Sequence, residues 1–449
     1  MDSGLDVSTS LKVCIAQSLA NVSSTMPTHK GISMIFSEKK SMGDVEYLAA
    51  CPGCCSKNLI ELEPEGEHKI FLTDSDEMLV TTGLSGCEKC GLSFLNPRMS
   101  KKKLFEYYAK QSRIPRQSIQ ADSAFAVLME LQIDEIERFK PIHKGMRVLE
   151  IGCAEGFFLQ RLEKRANDKL ELYGVEFSEK YVTQAKSLLQ GLQIFETPLE
   201  ETEFGELKFD LIILRHVLEH LGNPVECLKK IRCIMAPQSV MYIEVPDSRD
   251  IDPGISRFYH HEHLLYFTSH VLNSYLLAAG FQPLVCERFD TNPMGSGFSY
   301  AVIRAVSAAS MPSDLEEFPG HAKSVYLENK MRINVRLESL LAPVRERLHQ
   351  LIAAKNRIGL FGAGPHTMDL LERLEVENFR WSMVFDNNPS KQGKSIRGIP
   401  ILKPNEYNLK SVDCVLISSS EFENEMAAQV RSLAGTQLEV ITIYNKDAS

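Results

Sequence analysis

Residues 147–156 read RVLEIGCAEG, an apolar run that predicts a buried strand followed by a glycine turn. The stretch Phe157–Lys164 follows at once and predicts a helix, so the turn joins a strand to a helix. Gly152 and Gly156 leave room for a ligand beside the backbone, and Gly152 can adopt a turn that a side chain would oppose. Glu150 precedes the turn, where its carboxylate would repel a pyrophosphate and would suit a cationic amino-acid group. The GxxxG spacing also differs from the GxGxxG of dinucleotide-binding loops.

Strands and helices alternate downstream of this turn. Three further apolar runs predict strands, namely ELYGVEF at 171–177, FDLIILR at 209–215 and SVMYIEVP at 239–246. Two helices are predicted between them, over Glu179–Gln190 and Val225–Met235. Because parallel strands need helical crossovers, this order predicts a doubly wound sheet. Two later strands, over 281–290 and 298–306, have no long helix between them and predict an antiparallel hairpin at the sheet edge.

The second strand ends at Glu176, and a carboxylate at this position can accept hydrogen bonds from both hydroxyls of a ribose. The glycine loop by itself is weak evidence for a bound nucleoside. The loop, Glu176 and the segment FDLIILRHVLEH together favour one. A nucleotide fold that binds some other cofactor is the alternative.

A linker is predicted over residues 306–321, which contain prolines and several small or acidic residues. A helical stretch over Ala322–Lys355 follows, with a bend expected at Pro343 because proline cannot donate its backbone hydrogen bond. Strand–helix alternation then restarts with RIGLFGAG at 357–364, and Asp386 ends the next strand. This second α/β unit offers free N–H groups at a helix N-terminus. Binding of a substrate diphosphate, binding of NAD and an inert packing role all remain open for it.

Two CxxC pairs precede the α/β core, with 32 residues between them. In a reducing compartment such pairs favour a metal over a disulfide. Two knuckles supply four thiolates, which suit tetrahedral zinc and would close its coordination shell as a structural site. The predicted ligands are Cys51, Cys54, Cys87 and Cys90. Cys55 adjoins the first knuckle and could compete, and two redox pairs are the alternative reading.

A histidine-rich segment, FYHHEHLLYF at residues 258–267, follows the fifth strand. Loops beyond the carboxyl ends of strands surround the ligand crevice of an open α/β sheet. Histidine titrates near neutrality and can remove or return a proton, and Glu262 could hold a histidine in one tautomer. A metal site of three histidines and a glutamate is one alternative. A purely structural cap is another, because aromatic residues crowd the segment.

These motifs resemble the class I methyltransferases that use S-adenosylmethionine (SAM), over about Lys144–Val306. VLEIGCAEGFFL matches the family's first motif. The resemblance implies cofactor-binding roles at four places: the glycine loop, the ribose-binding acid, the lining of the adenine and the end of the fourth strand. The residues concerned are, in chain order, Glu150, Gly152, Ala154, Gly156, Phe157, Glu176, Phe177, Thr197, Leu199, Arg215 and His216. His216 and His220 have a spacing that metal ligands can share, but the family carries RHVLEHL without metal.

The whole arrangement is similar to the sugar C-methyltransferases of bacterial deoxysugar pathways, which act on nucleotide-linked 4-keto sugars. Their loop reads Tyr-His-Glu-His, and His261, Glu262 and His263 match its last three positions. The resemblance implies that His263 is the general base and that Glu262 supports it, with His261, Tyr259 and His260 completing the candidate catalytic set. His260 occupies the position of the family's tyrosine here, and the tyrosine of this chain, Tyr259, lies one residue earlier. This departure from the family pattern concerns the substrate contact and the reaction subtype.

The reaction implied is removal of the proton next to a ketone, followed by attack of the enolate on the SAM methyl group. The expected partner is a small-molecule substrate, a nucleotide sugar, acted on by a monomer or homodimer. O- or N-methylation of a sugar, glycan precursor or other small metabolite is one alternative. A non-catalytic nucleotide-binding scaffold is the other.

The 449 residues suggest roughly three domains at about 150 residues each. The net charge of −9 argues against a nucleic-acid surface. Without a long apolar run or a recognisable secretion signal, we expect a cytoplasmic protein with no membrane partner. The predicted fold is α/β, a doubly wound class I methyltransferase core with a zinc-binding module and a C-terminal Rossmann-like domain. The predicted boundaries are 1–49 for an N-terminal extension with a helix around 11–22, 50–100 for the zinc module, 101–310 for the methyltransferase domain and 311–449 for the helical linker and Rossmann-like domain.

Overall fold

A computed structural model describes residues 41–71, 77–110, 124–167, 169–249, 259, 261–290, 301–374, 381–389, 391–419, 422–435 and 437–444. Two expectations, the helix at 11–22 and the catalytic candidate His260, lie outside the described residues. Within the ranges above, no helix is both long and apolar enough to cross a membrane.

The cysteine pairs lie in a small antiparallel module. Its strands are β1 (Ser41–Met42), β2 (Val45–Glu46), β3 (Leu59–Phe71), β4 (Glu77–Cys87), β5 (Ser93–Leu95) and β6 (Arg98–Met99). Strands β3 and β4 form a long hairpin between the two CxxC turns, and β5 pairs with β4. The hairpin brings the two cysteine pairs together despite their separation in sequence, as predicted.

The core begins with two helices and a parallel βαβ region. Its elements in chain order are α1 (Lys101–Lys110), α2 (Ala124–Phe139), β7 (Arg147–Ile151), α3 (Phe157–Ala166), β8 (Glu171–Val175), α4 (Glu179–Leu188), β9 (Gln193–Phe195), β10 (Phe209–Arg215), a 3₁₀ turn (Leu218–His220), α5 (Pro224–Cys233), β11 (Met235–Pro246), β12 (Leu265–Tyr266), α6 (Ser269–Ala278), β13 (Phe281–Asp290) and β14 (Ala301–Ala309). The predicted strands and crossover helices are confirmed.

Among the described residues, the main sheet has seven strands in the order β13-β14-β11-β10-β7-β8-β9. The pairs from β11 to β9 are parallel, whereas β13 and β14 form the predicted antiparallel hairpin, with β13 at the edge. The chain runs outward from β7 through β8 to β9 and then returns to β10 on the other side of β7. In open α/β sheets the ligand crevice lies at such a switch point, beyond the carboxyl ends of the strands.

Side chains alternate between the two faces of the sheet, as the period of a strand requires. Val148 and Leu211 pack with Phe158 of α3 on one face, and Leu149 and Ile212 belong to the cluster on the other face. This second cluster also contains three of the module's cysteines and two of its apolar residues, namely Cys51, Cys87, Cys90, Leu92 and Phe94. The cysteine module therefore packs directly onto the main sheet.

The C-terminal unit follows a long helix. Its elements are α7 (His321–Ala353), β15 (Ile358–Phe361), α8 (Pro365–Arg373), β16 (Met383–Phe385), β17 (Ser395–Ile396), β18 (Ile399–Leu402), α9 (Glu406–Leu409), β19 (Cys414–Ile417), α10 (Glu423–Ala434) and β20 (Glu439–Ile441). The strand order is β17-β18-β16-β15-β19-β20, with parallel pairs from β18 to β20. Helix α7 continues through Pro343, and β14 takes the first residues of the predicted 306–321 linker.

We expect Gly53→Ala to destabilise the contact between the module and the core. A Cβ at this position would lie 2.0 Å from Oη of Tyr275, a fully buried residue of α6 whose hydroxyl also contacts the sulfur of Cys90. Such overpacking costs about 1–3 kcal/mol, and thermal unfolding should show the loss as a lower Tm. Gly364→Ala is the control, because its added Cβ meets nothing within 4 Å. An unchanged Tm for Gly53→Ala would show that the contact is not tight in solution.

Candidate functional site

The glycine loop after β7 requires its glycine at position 152. Gly152 has a φ of 71°, and an added Cβ would lie 2.6 Å from a methyl group of Val217. Ala154 and Gly156 also have positive φ, at 44° and 81°. The chain therefore turns tightly from β7 into α3, which leaves backbone atoms accessible where a side chain would otherwise stand.

Glu176 lies at the end of β8 and is held beside this loop. Its Oε2 accepts a hydrogen bond from the N–H of Ala154 at 3.2 Å, and its Oε1 accepts one from the N–H of Ser178 at 2.8 Å. Burial raises the pKa of the Glu176 carboxyl above its usual value, although these N–H groups act in the opposite direction. Each oxygen keeps a lone pair, so the oriented carboxylate can accept hydrogen bonds from two ligand hydroxyl groups.

Glu150 is fully buried on β7, and its two oxygens differ. Oε1 accepts hydrogen bonds from Nε and Nη2 of Arg215 at 3.1 and 3.0 Å. Oε2 has no hydrogen-bond partner among the described residues. Burial raises the pKa of Glu150 to about 7, and Arg215 limits the rise. A ligand ammonium group would give Oε2 the partner that the protein does not supply.

Arg215 is occupied by protein contacts rather than pointing freely into a cleft. Besides Glu150, its guanidinium donates to Gln132 of α2 at 3.1 Å and lies 4.0 Å from the centre of the Phe158 ring. The sequence predicted that Arg215 borders the cofactor. In the structure its direct contact is with Glu150, the residue expected to face the cofactor's cation.

His216 stands between two buried carboxylates in a left-handed conformation, with a φ of 54°. Its Nε2 lies 3.1 Å from Glu244 of β11, and its Nδ1 lies 3.5 Å from Glu219. Burial by itself raises the pKa of Glu244, but His216 and Arg304 outweigh burial and hold this pKa well below its usual value. His216 therefore connects β11 with the 3₁₀ turn that follows β10.

The remaining predicted cofactor residues surround the loop and β9. Phe157 is buried at the start of α3, and Leu199 is buried beyond β9. Thr197 exchanges a hydrogen bond with Thr202 at 3.0 Å. Phe177 is 40% exposed next to Glu176, and its ring makes edge contacts with Phe105 and Tyr108 of α1. An aromatic side chain is thus accessible beside the ribose-binding acid.

The histidine segment contacts helix α1. The hydroxyl of Tyr107 donates to the Glu262 carboxylate, and the Tyr107 ring meets the His261 ring at 5.0 Å. The backbone carbonyl of Glu262 lies 2.9 Å from Nδ1 of His220. Glu262 therefore contacts Tyr107 through its carboxylate and His220 through its backbone carbonyl.

His263 lies in a cluster with Glu219 and His220. One ligand atom from each residue falls within 4.8 Å of the other two. The rings of His220 and His263 meet at a centroid distance of 5.0 Å and an interplanar angle of 83°. Burial raises the pKa of Glu219, but His216, His220 and His263 together bring it below its usual value. The carboxylate nearest to His263 in this cluster is thus Glu219.

Tyr259 packs into an apolar cluster. Its ring meets those of Tyr266 at 4.8 Å and Tyr326 of α7 at 6.3 Å, beside Leu84 and Leu95 of the module. Burial raises the pKa of its hydroxyl above the usual value. The structure therefore gives Tyr259 packing contacts with the module and with α7.

The four predicted zinc ligands converge. The Sγ atoms of Cys51 and Cys90 are 3.6 Å apart, those of Cys54 and Cys87 are 3.5 Å apart, and all four lie within 4.8 Å of one another. Tyr275 lies with its hydroxyl 3.0 Å from the sulfur of Cys90. Cys55 is exposed and lies outside this group.

The C-terminal unit repeats the carboxylate arrangement of the core. Asp386 follows β16, as predicted, and its Oδ2 accepts from the N–H of Ala363 at 2.8 Å in the glycine loop after β15. Its Oδ1 accepts from the N–H of Asn388 at 2.8 Å. His366, at the start of α8, lies 3.0 Å from Ser418 and 2.8 Å from Tyr444, and burial lowers its pKa to about 4. A neutral imidazole thus stands where α8 begins.

Sequence reasoning missed several residues of the site. Tyr107 and Tyr108 lie on a helix with no motif, so only the fold could place them beside the histidine segment. Glu244 and Gln132 are distant in sequence from every motif that pointed to the site. Glu219 was visible between the two histidines of RHVLEHL, and its acidic character inside an apolar segment was the available signal.

We expect Arg215→Met to destabilise the protein by about 3–5 kcal/mol, because it leaves the buried Glu150 carboxylate without its counter-charge. Denaturant unfolding at about pH 9, above the Glu150 pKa of about 7, measures this loss, because the carboxyl of the folded wild type is then charged. The double variant Arg215→Met/Glu150→Gln should recover much of it, because the uncompensated charge is gone. If the stability loss of the double variant equals the sum of the losses of the two single variants, Glu150 and Arg215 do not interact, and the pairing is contradicted.

Two ranges of the chain match known family models. Residues 125–286 match a family model described as a methyltransferase domain, and residues 354–441 match one described as C2185-like, N-terminal. The chain is 30% identical over 105 residues to the redox-sensing transcriptional repressor Rex of Brevibacillus brevis, covering 22% of this chain and 50% of Rex. It is 28% identical over 105 residues to the ubiquinone biosynthesis O-methyltransferase of Caulobacter sp., covering 22% and 40%. The chain thus spans half or less of these curated relatives.

Solved structures with a similar chain include two methyltransferases. One is the 1,6-didemethyltoxoflavin-N1-methyltransferase of Burkholderia thailandensis, with 19% identity, 42% of this chain and 79% of that chain covered, and a TM-score of 0.31. The other is a SAM-dependent methyltransferase from Aquifex aeolicus, with 17% identity, 42% and 99% covered, and a TM-score of 0.32. The family match assigns residues 125–286 to a methyltransferase domain, and these residues contain the parallel strands of the main sheet and the glycine loop.

Proposed function

We propose that the protein is a SAM-dependent methyltransferase that methylates carbon on a nucleotide-linked keto sugar, with His263 as the general base. The whole-protein activity, the substrate and the residue roles are parts of this proposal. One observation carries it, namely that His263 lies against Glu219 and His220 at the switch-point edge of the sheet, on the side where Glu150 and Glu176 frame the glycine loop.

The residues around the loop fit SAM. Glu150 offers a buried acceptor, which has no hydrogen-bond partner in the described part of the chain, to the ammonium group of the amino-acid moiety. Glu176 offers an oriented carboxylate to the ribose hydroxyls, and Phe177, Thr197 and Leu199 would line the adenine. When bound, SAM supplies a sulfonium methyl group to a nucleophilic carbon, oxygen or nitrogen. The protein's own contribution is to hold both reactants in line, which can supply several kcal/mol of the barrier.

Proton removal is the second contribution. A sugar carbon becomes acidic only next to a ketone, so a base and a keto group are needed together. His263 would take that proton, and the nearby Glu219 carboxylate would stabilise the resulting imidazolium. Tyr108 connects the two halves of the site, because its ring contacts Phe177 and its hydroxyl lies 3.1 Å from Nδ1 of His220. His261, Glu262, Tyr259 and His260 would shape the substrate side.

The second candidate is O-methylation, which the likeness to an O-methyltransferase favours. A hydroxyl acceptor needs the same base but no ketone, and N-methylation of a small metabolite is a further form of this alternative. A non-catalytic scaffold would keep the cofactor loop without turnover.

The C-terminal unit would hold the nucleotide part of the substrate, with Asp386 facing a ribose. NAD binding and a packing role are the alternatives for this unit.

Zinc completes the proposal in the cysteine module. Four convergent thiols suit tetrahedral zinc with bonds of about 2.3 Å, and a shell closed by four sulfurs serves structure rather than catalysis. The hydroxyl of Tyr275 would support the Cys90 thiolate from outside the shell. This zinc would fix the hairpin of the module against the main sheet.

We expect Glu176→Gln to weaken binding of S-adenosylhomocysteine about tenfold or more, because it removes charge-assisted hydrogen bonds to the ribose. Isothermal titration calorimetry measures the Kd. Glu179→Gln, an exposed change three residues away in α4, is the matched control and should bind normally. Equal affinities of the two variants would remove Glu176 from the cofactor site.

We expect His263→Gln to lower the single-turnover rate of methyl transfer by about 10²- to 10⁴-fold while S-adenosylhomocysteine still binds, because only the base is lost. The control is His349→Gln, an exposed position on α7. Deuterium exchange at the carbon beside the ketone, measured with S-adenosylhomocysteine bound, should also disappear in His263→Gln. A near-normal rate would exclude His263 as the base, and turnover of wild type without exchange would favour O-methylation.

A further inference from the structure

We propose that Glu219, His220 and His263 form a second metal site, separate from the four cysteines, that takes a divalent first-row transition metal such as Zn²⁺. The three residues come from two segments, the 3₁₀ turn after β10 and the histidine segment before β12. One ligand atom of each lies within 4.8 Å of the other two. Two imidazoles and a carboxylate are the donors of many three-ligand zinc sites that keep an open coordination position.

Glu219 supplies the first argument. Its side chain is 1% exposed, and neither carboxylate oxygen has a hydrogen-bond partner in the described part of the chain. Two imidazole nitrogens, His216 Nδ1 and His220 Nε2, lie 3.5 and 3.9 Å from Oε1. These distances exceed those of normal hydrogen bonds. A buried carboxylate without hydrogen bonds is costly, and a bound cation would supply the missing partner.

The orientation of His220 supplies the second argument. Its Nδ1 lies 2.9 Å from the carbonyl oxygen of Glu262. A carbonyl only accepts, so Nδ1 must carry the proton, and in the neutral ring Nε2 keeps its lone pair on the side of Glu219. Metal-binding histidines usually have this pattern, in which the other ring nitrogen donates to a backbone carbonyl. The protein thus sets the tautomer that a metal ligand needs.

The spacing suits one ion. Bonds of about 2.0–2.2 Å place two ligand atoms on one metal roughly 3–4.2 Å apart. The distance of 3.9 Å between Glu219 Oε1 and His220 Nε2 lies inside this range. The rings of His220 and His263 are nearly perpendicular, at 83°, and the ligand atoms of all three residues lie within 4.8 Å of one another.

One consequence rests on the proposed function. If His263 is the base, its lone pair cannot hold a metal and accept a substrate proton at the same time. Metal binding at this site would therefore inhibit methyl transfer. The metal would occupy the position from which the substrate proton is removed.

The test uses the full-length chain, stripped of loosely held metal by a chelator and titrated with Zn²⁺ while bound metal is counted by mass spectrometry. We expect a first equivalent on the cysteines and a second, exchangeable equivalent. Glu219→Gln, His220→Asn and His263→Gln should each weaken the second equivalent at least about tenfold and keep the first. Cys51→Ser should affect the first only, and His349→Gln neither. Binding of S-adenosylhomocysteine confirms that each variant is folded.

The outcomes separate this site from the proposed function. No second equivalent at millimolar Zn²⁺, or a second equivalent equally strong in Glu219→Gln, His220→Asn and His263→Gln, would overturn the metal site. Zinc that binds at these residues and inhibits wild type supports both ideas. Zinc that binds there without slowing methyl transfer supports the metal site and instead overturns the base role of His263.

Discussion

Two buried carboxylates constrain the whole candidate site. Glu150 on β7 and Glu244 on β11 flank β10, and neither is accessible to water. A buried charge is tolerated only with a counter-charge and hydrogen bonds. The partners come from separate elements, Arg215 at the end of β10, Gln132 on α2, Arg304 on β14 and His216 beyond β10. Pairing these groups ties one edge of the sheet into a single polar network, and that edge carries the glycine loop.

The cysteine module contributes to the same edge from outside. Strand β5 of the module pairs with β12, which begins two residues after His263, and the N–H of Leu95 also donates to the carbonyl of Leu264 at 3.0 Å. The Cys90 sulfur contacts Tyr275 in the main core. The module that carries the four convergent thiols therefore pairs, through β5, with strand β12 inside the histidine segment. The packing of the module therefore also affects the position of His263, the candidate base.

Both α/β units hold a carboxylate beside their glycine loop with the same type of hydrogen bond. Glu176 and Asp386 each follow the second strand of their unit, and each accepts from the glycine-loop N–H of an alanine, Ala154 or Ala363. The hydrogen bond orients the carboxylate towards the space above the loop. The two units differ in a second polar group near the loop. In the core this group is Oε2 of Glu150, which has no hydrogen-bond partner among the described residues, and in the C-terminal unit it is the neutral imidazole of His366.

The sequence by itself determined the strands, the crossover helices, the edge hairpin, the glycine loops and the four converging cysteines, because each depends on local periodicity, spacing or turn chemistry. Tertiary structure decided what the polar side chains contact. It turned Arg215 towards Glu150, gave Glu262 to Tyr107 and His220, and placed Glu219 beside His263. Such pairings join residues from different elements, and their partners are selected by burial and packing in three dimensions, which no local pattern along the chain records.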